Sequence, residues 1–207
     1  MRIAELWRYP VKSMAGEPLQ IVDLHETGIV GDRVVHVVDA AGRTVTSRTK
    51  PKLLGYRATL GPDGEPLVDG KPWREMDVHQ AAGPDTRLVR DDGVGRFDVL
   101  PLLVATDGAI AAFSYDRRRL RPNIIIGGVN GLDERHWEGK TLCTGEAVIG
   151  VQDLRQRCVM TTFDPNTLVQ DVDVLRKIYR EFDGVLALNC YVIKGGTLRV
   201  GDEIRIS

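Results

Sequence analysis

The run Arg157-Cys158-Val159-Met160-Thr161-Thr162-Phe163-Asp164-Pro165 sets a thiol beside a cation, then two hydroxyls and a turn-forming Asp-Pro. A flanking cation favours thiolate, the form of cysteine that attacks carbon or binds metal. Neither Cys143 nor Cys190 lies close enough in sequence to make a zinc or redox pair with Cys158. A metal held by this sulfur would therefore take its other strong ligands from a cofactor. Three more segments carry polar groups where apolar runs stop. Tyr9-Pro10-Val11-Lys12-Ser13 puts an ammonium and a hydroxyl just after a proline-stopped strand. Both groups can bind a phosphate oxygen, although the glycine-rich cradle of a P-loop is missing. Gly31-Asp32-Arg33 leads through a hairpin to Thr46-Ser47-Arg48, where Arg48 could fork onto phosphate. Arg121-Pro122-Asn123 opens the strand Ile124-Ile125-Ile126, so its polar tips sit at a strand mouth.

Each segment alone has a plainer reading: a surface lysine beside a turn serine, a rim arginine paired with an acid, an asparagine bonding a turn. Asp32 reads as a turn residue after Gly31. Cys190 alternates with Leu188 and Val192 and reads as core, which is the common fate of a free cysteine. Cys143 sits beside a turn with no partner signal. His25, His36, His79 and His136 have no metal-ligand spacing, and no nucleophile elbow occurs. Zinc and serine hydrolases are set aside on those grounds.

Twenty-eight basic against 29 acidic residues leave a net charge of −1, which argues against general nucleic-acid binding. Three unevenly spaced cysteines give no disulfide framework and suggest a reducing compartment. Met1-Arg2-Ile3-Ala4-Glu5 has no signal-like apolar segment, and no apolar run approaches the ~18 residues of a membrane span. The expectation is a cytoplasmic chain with no membrane and no nucleic-acid partner.

The elements that must position these groups are mostly strands. Strands are expected at Ile3 to Tyr9, Leu19 to Leu24, Leu53 to Leu60, Asn123 to Ile126, Ala147 to Val151, Ala187 to Ile193 and Leu198 to Ile206. Val34 to Val38 and Thr44 to Thr46 read as a hairpin, with shorter strands near Met76 to His79 and Arg87 to Arg90. A short helix capped by Asp107 runs toward Arg117-Arg118-Arg119. A main helix over about 172 to 183 is capped by Asp171 or Asp173 and stopped by Gly184, with Val174, Ile178 and Phe182 on its apolar stripe. The fold class is mainly β, built of barrel-like subdomains with a few short helices. Its Gly-, Pro- and Asp-rich stretch from 61 to 95 reads as the join between them.

These segments, with the closing Gly201-Asp202, together resemble the MOSC-domain proteins, most closely the branch containing the mitochondrial amidoxime-reducing component and its bacterial relatives. The resemblance runs over residues 1 to about 60 and about 97 to 207. It implies an N-terminal MOSC β-barrel domain over 1–95 and a MOSC domain over 96–207, intimately packed, with the site in the cleft between them. It further implies a molybdenum cofactor, a pyranopterin dithiolene ending in a phosphate. Cys158 falls on the molybdenum ligand. Lys12, Ser13, Arg48, Arg121 and Asn123 fall on residues that hold the cofactor, joined by Arg157 and Thr161 of the cysteine motif. Asp98, in Phe97-Asp98-Val99-Leu100-Pro101, falls on an aspartate near the metal and is expected to donate a proton. One protein thiolate suffices because the dithiolene supplies two more sulfurs, and soft sulfur suits such a site. The activity implied is reduction of N-hydroxylated or other N-oxygenated small molecules by oxygen-atom transfer. The electrons would come from a separate reductase or a ferredoxin- or flavodoxin-like protein. Two other readings use the same thiol: a carrier of sulfur, as a Cys158 persulfide, or of the cofactor itself; and a molybdoenzyme dedicated to one secondary metabolite. The stretch from 61 to 96 departs most from the mitochondrial relatives.

Overall fold

A computed structural model describes all 207 residues, Val94 by its backbone alone. Strands dominate, as expected. The central element is an eight-stranded sheet in the spatial order Arg205–Ile206, Thr141–Thr144, Ala147–Gln156, Val185–Lys194, Leu102–Thr106, Ile124–Gly127, Arg2–Arg8, Glu17–Leu19. Its longest pair, Ala147–Gln156 against Val185–Lys194, slips register at three places along its length. Such bulges bend and twist a sheet, which lets it wrap a core instead of lying flat. That core holds Ile3, Leu6, Val104, Ile124, Ile149 and Leu188.

The N-terminal strand does not stay in the first half of the chain. Arg2–Arg8 pairs antiparallel with Ile124–Gly127, and Ile21–His25 pairs with Gly196–Arg199. Val22, Leu24 and Ile29 accordingly pack in the core of the C-terminal half. The cores thus do not divide at residue 95. The separate N-terminal core, with Val11, Met14, Val35, Leu53, Val68 and Trp73, begins only after Pro10. It is covered by the sheet Arg87–Arg90, Val35–Val38, Thr44–Val45 and by a meander of Ala58–Leu60, Pro66–Val68 and Lys71–Pro72. The stretch from 61 to 95 therefore supplies strands to this unit and is not a join. A 3-10 turn, Pro51–Gly55, replaces the first half of the strand expected at Leu53, because Pro51 sets the turn and Leu53 buries its side chain from it. Residues 76–79 form no strand and lead into the short helix His79–Ala82.

Helices form a third, smaller core of Phe113, Leu120, Val174, Ile178, Phe182 and Leu186. In the main helix, Val172–Phe182, the Asp171 carboxylate accepts from the Asp173 amide at 3.0 Å and the chain leaves through Asp183 and Gly184, both at positive φ. The shorter helix Asp107–Phe113 is capped by Thr106, whose hydroxyl accepts from the Ala109 amide at 3.0 Å. Asp107, the expected cap, instead accepts from the amides of Gly128 and Val129. Cys190 is fully buried, and burial pushes its thiol far up, so it stays neutral core.

Candidate functional site

The strand Arg2–Arg8 ends at Pro10, which has no N–H to continue the ladder. The chain then bridges into the N-terminal core, with the Lys12 amide donating to the Val35 carbonyl at 2.8 Å. Ser13 follows at φ 72, a left-handed conformation that turns Lys12 and Ser13 toward the seam between the two cores. The Ser13 hydroxyl accepts from the Ser47 amide at 3.0 Å and so ties this turn to the one carrying Arg48. From the other side, the strand Ala147–Gln156 runs out into Arg157 and Cys158. Arg155 and Arg157 are two residues apart and reach the same cleft. Cys158 precedes the 3-10 turn Val159–Thr162, and its carbonyl accepts from the Thr161 amide at 3.1 Å and the Thr161 hydroxyl at 2.9 Å.

Between these pieces lies a cleft of about 110 Å³. Cys158, Asp98, Lys12, Ser13, Arg48, Arg121, Asn123 and Arg157 all line it, although they span residues 12 to 158 of the chain. Thr161 does not. It is 1% exposed and its hydroxyl is spent on the Cys158 carbonyl, so it shapes the cysteine turn and does not face the cleft.

The electrostatics are one-sided. Lys12, Arg33, Arg48, Arg119, Arg121, Arg155 and Arg157 line the cleft against a single lining carboxylate, Asp98. Asp98 accepts from Lys12 Nζ at 2.8 Å and Arg48 Nη2 at 2.9 Å, with Arg155 Nη2 at 3.7 Å. Burial pushes its carboxyl up, but the hydrogen bond and charge of Lys12, with Arg48 and Arg155, outweigh this and hold it below the usual carboxylate range. Asp98 is therefore ionised at neutral pH. The expectation that it donates a proton is revised: a carboxylate already stripped of its proton by three cations serves as their anchor.

Asn123 is completely buried. Its carbonyl oxygen accepts from Arg33 Nη1 and the Leu103 amide, both at 3.2 Å, and its amide donates to the Trp7 carbonyl at 3.3 Å. It thus fastens three segments of the cleft wall together. Asp32, expected only to form a turn, is also fully buried; it accepts from the Tyr9 amide at 2.7 Å and pairs with Arg33. Arg33 and Arg121 approach the Tyr9 ring at 5.1 and 4.4 Å from its centroid. Burial pushes the Tyr9 phenol up to about 12, and its hydroxyl donates to the Pro122 carbonyl at 3.2 Å. Ser13, Arg33 and Arg121 share positive φ values of 72°, 56° and 57°. Such backbone is uncommon outside glycine, and three of the nine such residues among those described line this one cleft.

Two buried cations, Arg119 and Arg157, are short of the partners that burial normally demands, each with an Nε left unbonded among the described residues. Burial lowers both Arg121 and Arg157 to about 10. Arg157 Nη2 donates to the Leu120 carbonyl at 2.7 Å, yet its buried Nε has no hydrogen-bond partner among the described residues. Unpaired buried guanidinium groups are costly, and an anion in the cleft would satisfy them. No three His, Cys, Asp or Glu side chains among the described residues converge on a metal. The donor set fits an anionic ligand that brings its own chelated metal to a single thiolate. Sequence reasoning passed over Arg33, Arg119 and Arg155 as cleft residues. Arg155 was legible from its two-residue spacing to Arg157, whereas Arg119 lay inside a basic triplet that reads as a solvated helix end.

Comparison with known proteins agrees with this architecture. The YuaD protein from Bacillus subtilis shares the fold at a TM-score of 0.52 and 13% identity, over 99% of this chain and 94% of that one. Mitochondrial amidoxime reducing component 2 of Macaca fascicularis and of Homo sapiens are each 24% identical across 98% of this chain and 82% of theirs. Mitochondrial amidoxime-reducing component 1 of Homo sapiens is 23% identical over the same shares. No helix among the described residues is long and apolar enough to cross a membrane. Residues 1–92 match the MOSC N-terminal beta barrel domain and residues 105–205 the MOSC domain, so the chain belongs to the MOSC family.

Proposed function

We propose that this protein is a molybdenum-cofactor-dependent oxidoreductase that reduces N-hydroxylated or related N-oxygenated small molecules. The observation that carries the reading is the Cys158 thiol opening into a cleft lined by seven cationic side chains and one carboxylate, with no cluster of three protein metal ligands among the described residues. When bound, the cofactor supplies two-electron oxygen-atom transfer, and the protein's part is to hold and tune it. Cys158 is the protein ligand to molybdenum. Arg157, buried and short of a partner at Nε, holds the cofactor's anionic groups together with Arg121, with Lys12, Ser13 and Arg48 on the facing wall. Asn123 keeps the wall assembled. Asp98 keeps Lys12, Arg48 and Arg155 extended toward one point, so the cations are in place before any ligand arrives. Preorganised charge of this kind costs no rearrangement when the ligand binds.

Reduction of an N-hydroxyl group consumes two electrons and two protons and releases water, leaving the amine. The electrons come from a separate reductase or a ferredoxin- or flavodoxin-like donor. All three cysteines are free, which suits a reducing compartment such as the cytoplasm. Protein made in a host with an intact molybdopterin pathway should carry the cofactor by mass spectrometry and reduce an N-hydroxylated substrate with an artificial donor. Cys158→Ala should lose that activity and keep its circular dichroism and melting profile. A fully active Cys158→Ala protein overturns the assignment, and a persulfide on Cys158 in metal-free protein supports a carrier instead.

A further inference from the structure

A second cavity of about 360 Å³ adjoins the candidate site and is not needed to explain it. Arg119, Arg121 and Met160 line both. The walls of the second cavity are apolar and aromatic, built from Trp7, Tyr9, Leu54 and Phe163 with Pro18 and Pro165. Trp7 and Tyr9 stack at 6.5 Å, and Gly16 closes against Tyr9 so tightly that a Cβ would lie 2.9 Å from the ring's Cε1. The aromatic wall is thus held rigidly. The charged groups around it are Arg57, Arg118, Arg119 and Arg121, with no acidic side chain. Asp116 neutralises Arg118 at 2.6 Å and Asp164 neutralises Arg119 at 3.1 Å. Among the described residues, Arg57 and Arg121 have no carboxylate partner. Arg121 rests on the Tyr9 ring, and Arg57 stands exposed at the rim.

Volume and lining together suit a small-molecule site: concave, mostly apolar, with a few polar groups of fixed position. Aromatic walls favour a flat ring, through stacking and edge contacts. Two cations without a carboxylate partner, Arg57 and Arg121, select against positive ligands and favour negative ones. We infer that this cavity binds the body of the substrate, a planar aromatic compound bearing a carboxylate. Its ring lies against Trp7 and Phe163 and its carboxylate meets Arg57. The reacting end passes Met160, two residues from Cys158. In naming a substrate class the inference rests on the function proposed above, but binding to the cavity does not require molybdenum.

The test is calorimetric titration of the full chain with 2-naphthoate and with its neutral counterpart 2-naphthamide, in the wild type and in Arg57→Gln, Arg48→Gln and Cys158→Ala. Naphthoate should bind at least tenfold tighter than naphthamide. Arg57→Gln should weaken naphthoate about tenfold, equal to about 1.4 kcal/mol. Arg48→Gln and Cys158→Ala, which alter only the first cleft, should bind it as the wild type does. Absence of naphthoate binding, equal binding of naphthamide, or loss in Arg48→Gln with retention in Arg57→Gln overturns the inference. Retained binding by Cys158→Ala separates this result from the fate of the molybdenum reading.

Discussion

Asp98→Asn removes the single carboxylate of a cleft lined by seven cations and should destabilise the protein. The Lys12 contact is the best protected, with side chains 14% and 30% exposed, and a charged hydrogen bond there is worth about 1.5 kcal/mol after discounting for solvent. Arg48 is 46% exposed, and its contact adds about 0.5 kcal/mol. Arg155 at 3.7 Å adds only a few tenths. The sum is about 2 kcal/mol, or roughly 4–8 °C in melting temperature for a chain of this size. The pH dependence follows from the depressed carboxyl of Asp98 in the folded state. Its contribution is complete above the unfolded value of about 3.9 and is lost as pH falls through the lower folded value. Urea unfolding of wild type and Asp98→Asn should therefore differ by about 2 kcal/mol at pH 7, with the gap shrinking steadily below about pH 4. A gap that is absent at pH 7, or unchanged in acid, would refute the reasoning that Asp98 is an ionised anchor.

Asn123→Ala strands the Leu103 amide and the Trp7 carbonyl in a buried wall and frees Arg33, so it should cost about 2–4 kcal/mol by urea unfolding, against under 0.5 kcal/mol for an exposed control such as Asn130→Ala. Thiol titration of the folded protein with a bulky aromatic disulfide should count two reactive cysteines, since Cys143 and Cys158 are partly exposed and Cys190 is sealed and kept protonated. The third should appear only on unfolding; reaction of Cys190 in the native state would contradict the packing described for its strand.

What the sequence makes legible here is chemistry at strand ends. Pro10, Pro122 and the Asp164-Pro165 turn each stop the chain where a polar group is then displayed, and eight of the nine residues anticipated for the site line one cleft. The main helix was equally plain, because Asp171 and Gly184 bracket a single apolar stripe. The strand Leu102–Thr106 was not, because its short apolar run is buried on both sides and carries no alternation. Nor was Asp32: a buried carboxylate and a turn carboxylate are the same letter beside a glycine, and only the fold brings the Tyr9 amide to it. Thr161 was misplaced for a related reason. A hydroxyl three residues beyond Cys158 can face a ligand or bond back to the Cys158 carbonyl, and local geometry decides for the carbonyl. Long-range pairing escaped altogether, since nothing local in Arg2–Arg8 announces that its partner is Ile124–Gly127.

The most direct measurement is molybdenum X-ray absorption on the purified protein and on Cys158→Ser. With Cys158 as ligand, near-stoichiometric molybdenum in the wild type should show three sulfur neighbours, and the serine variant two. Protein free of molybdenum from a cofactor-competent host, or a sulfur count that does not change on substitution, would contradict the thiolate's role.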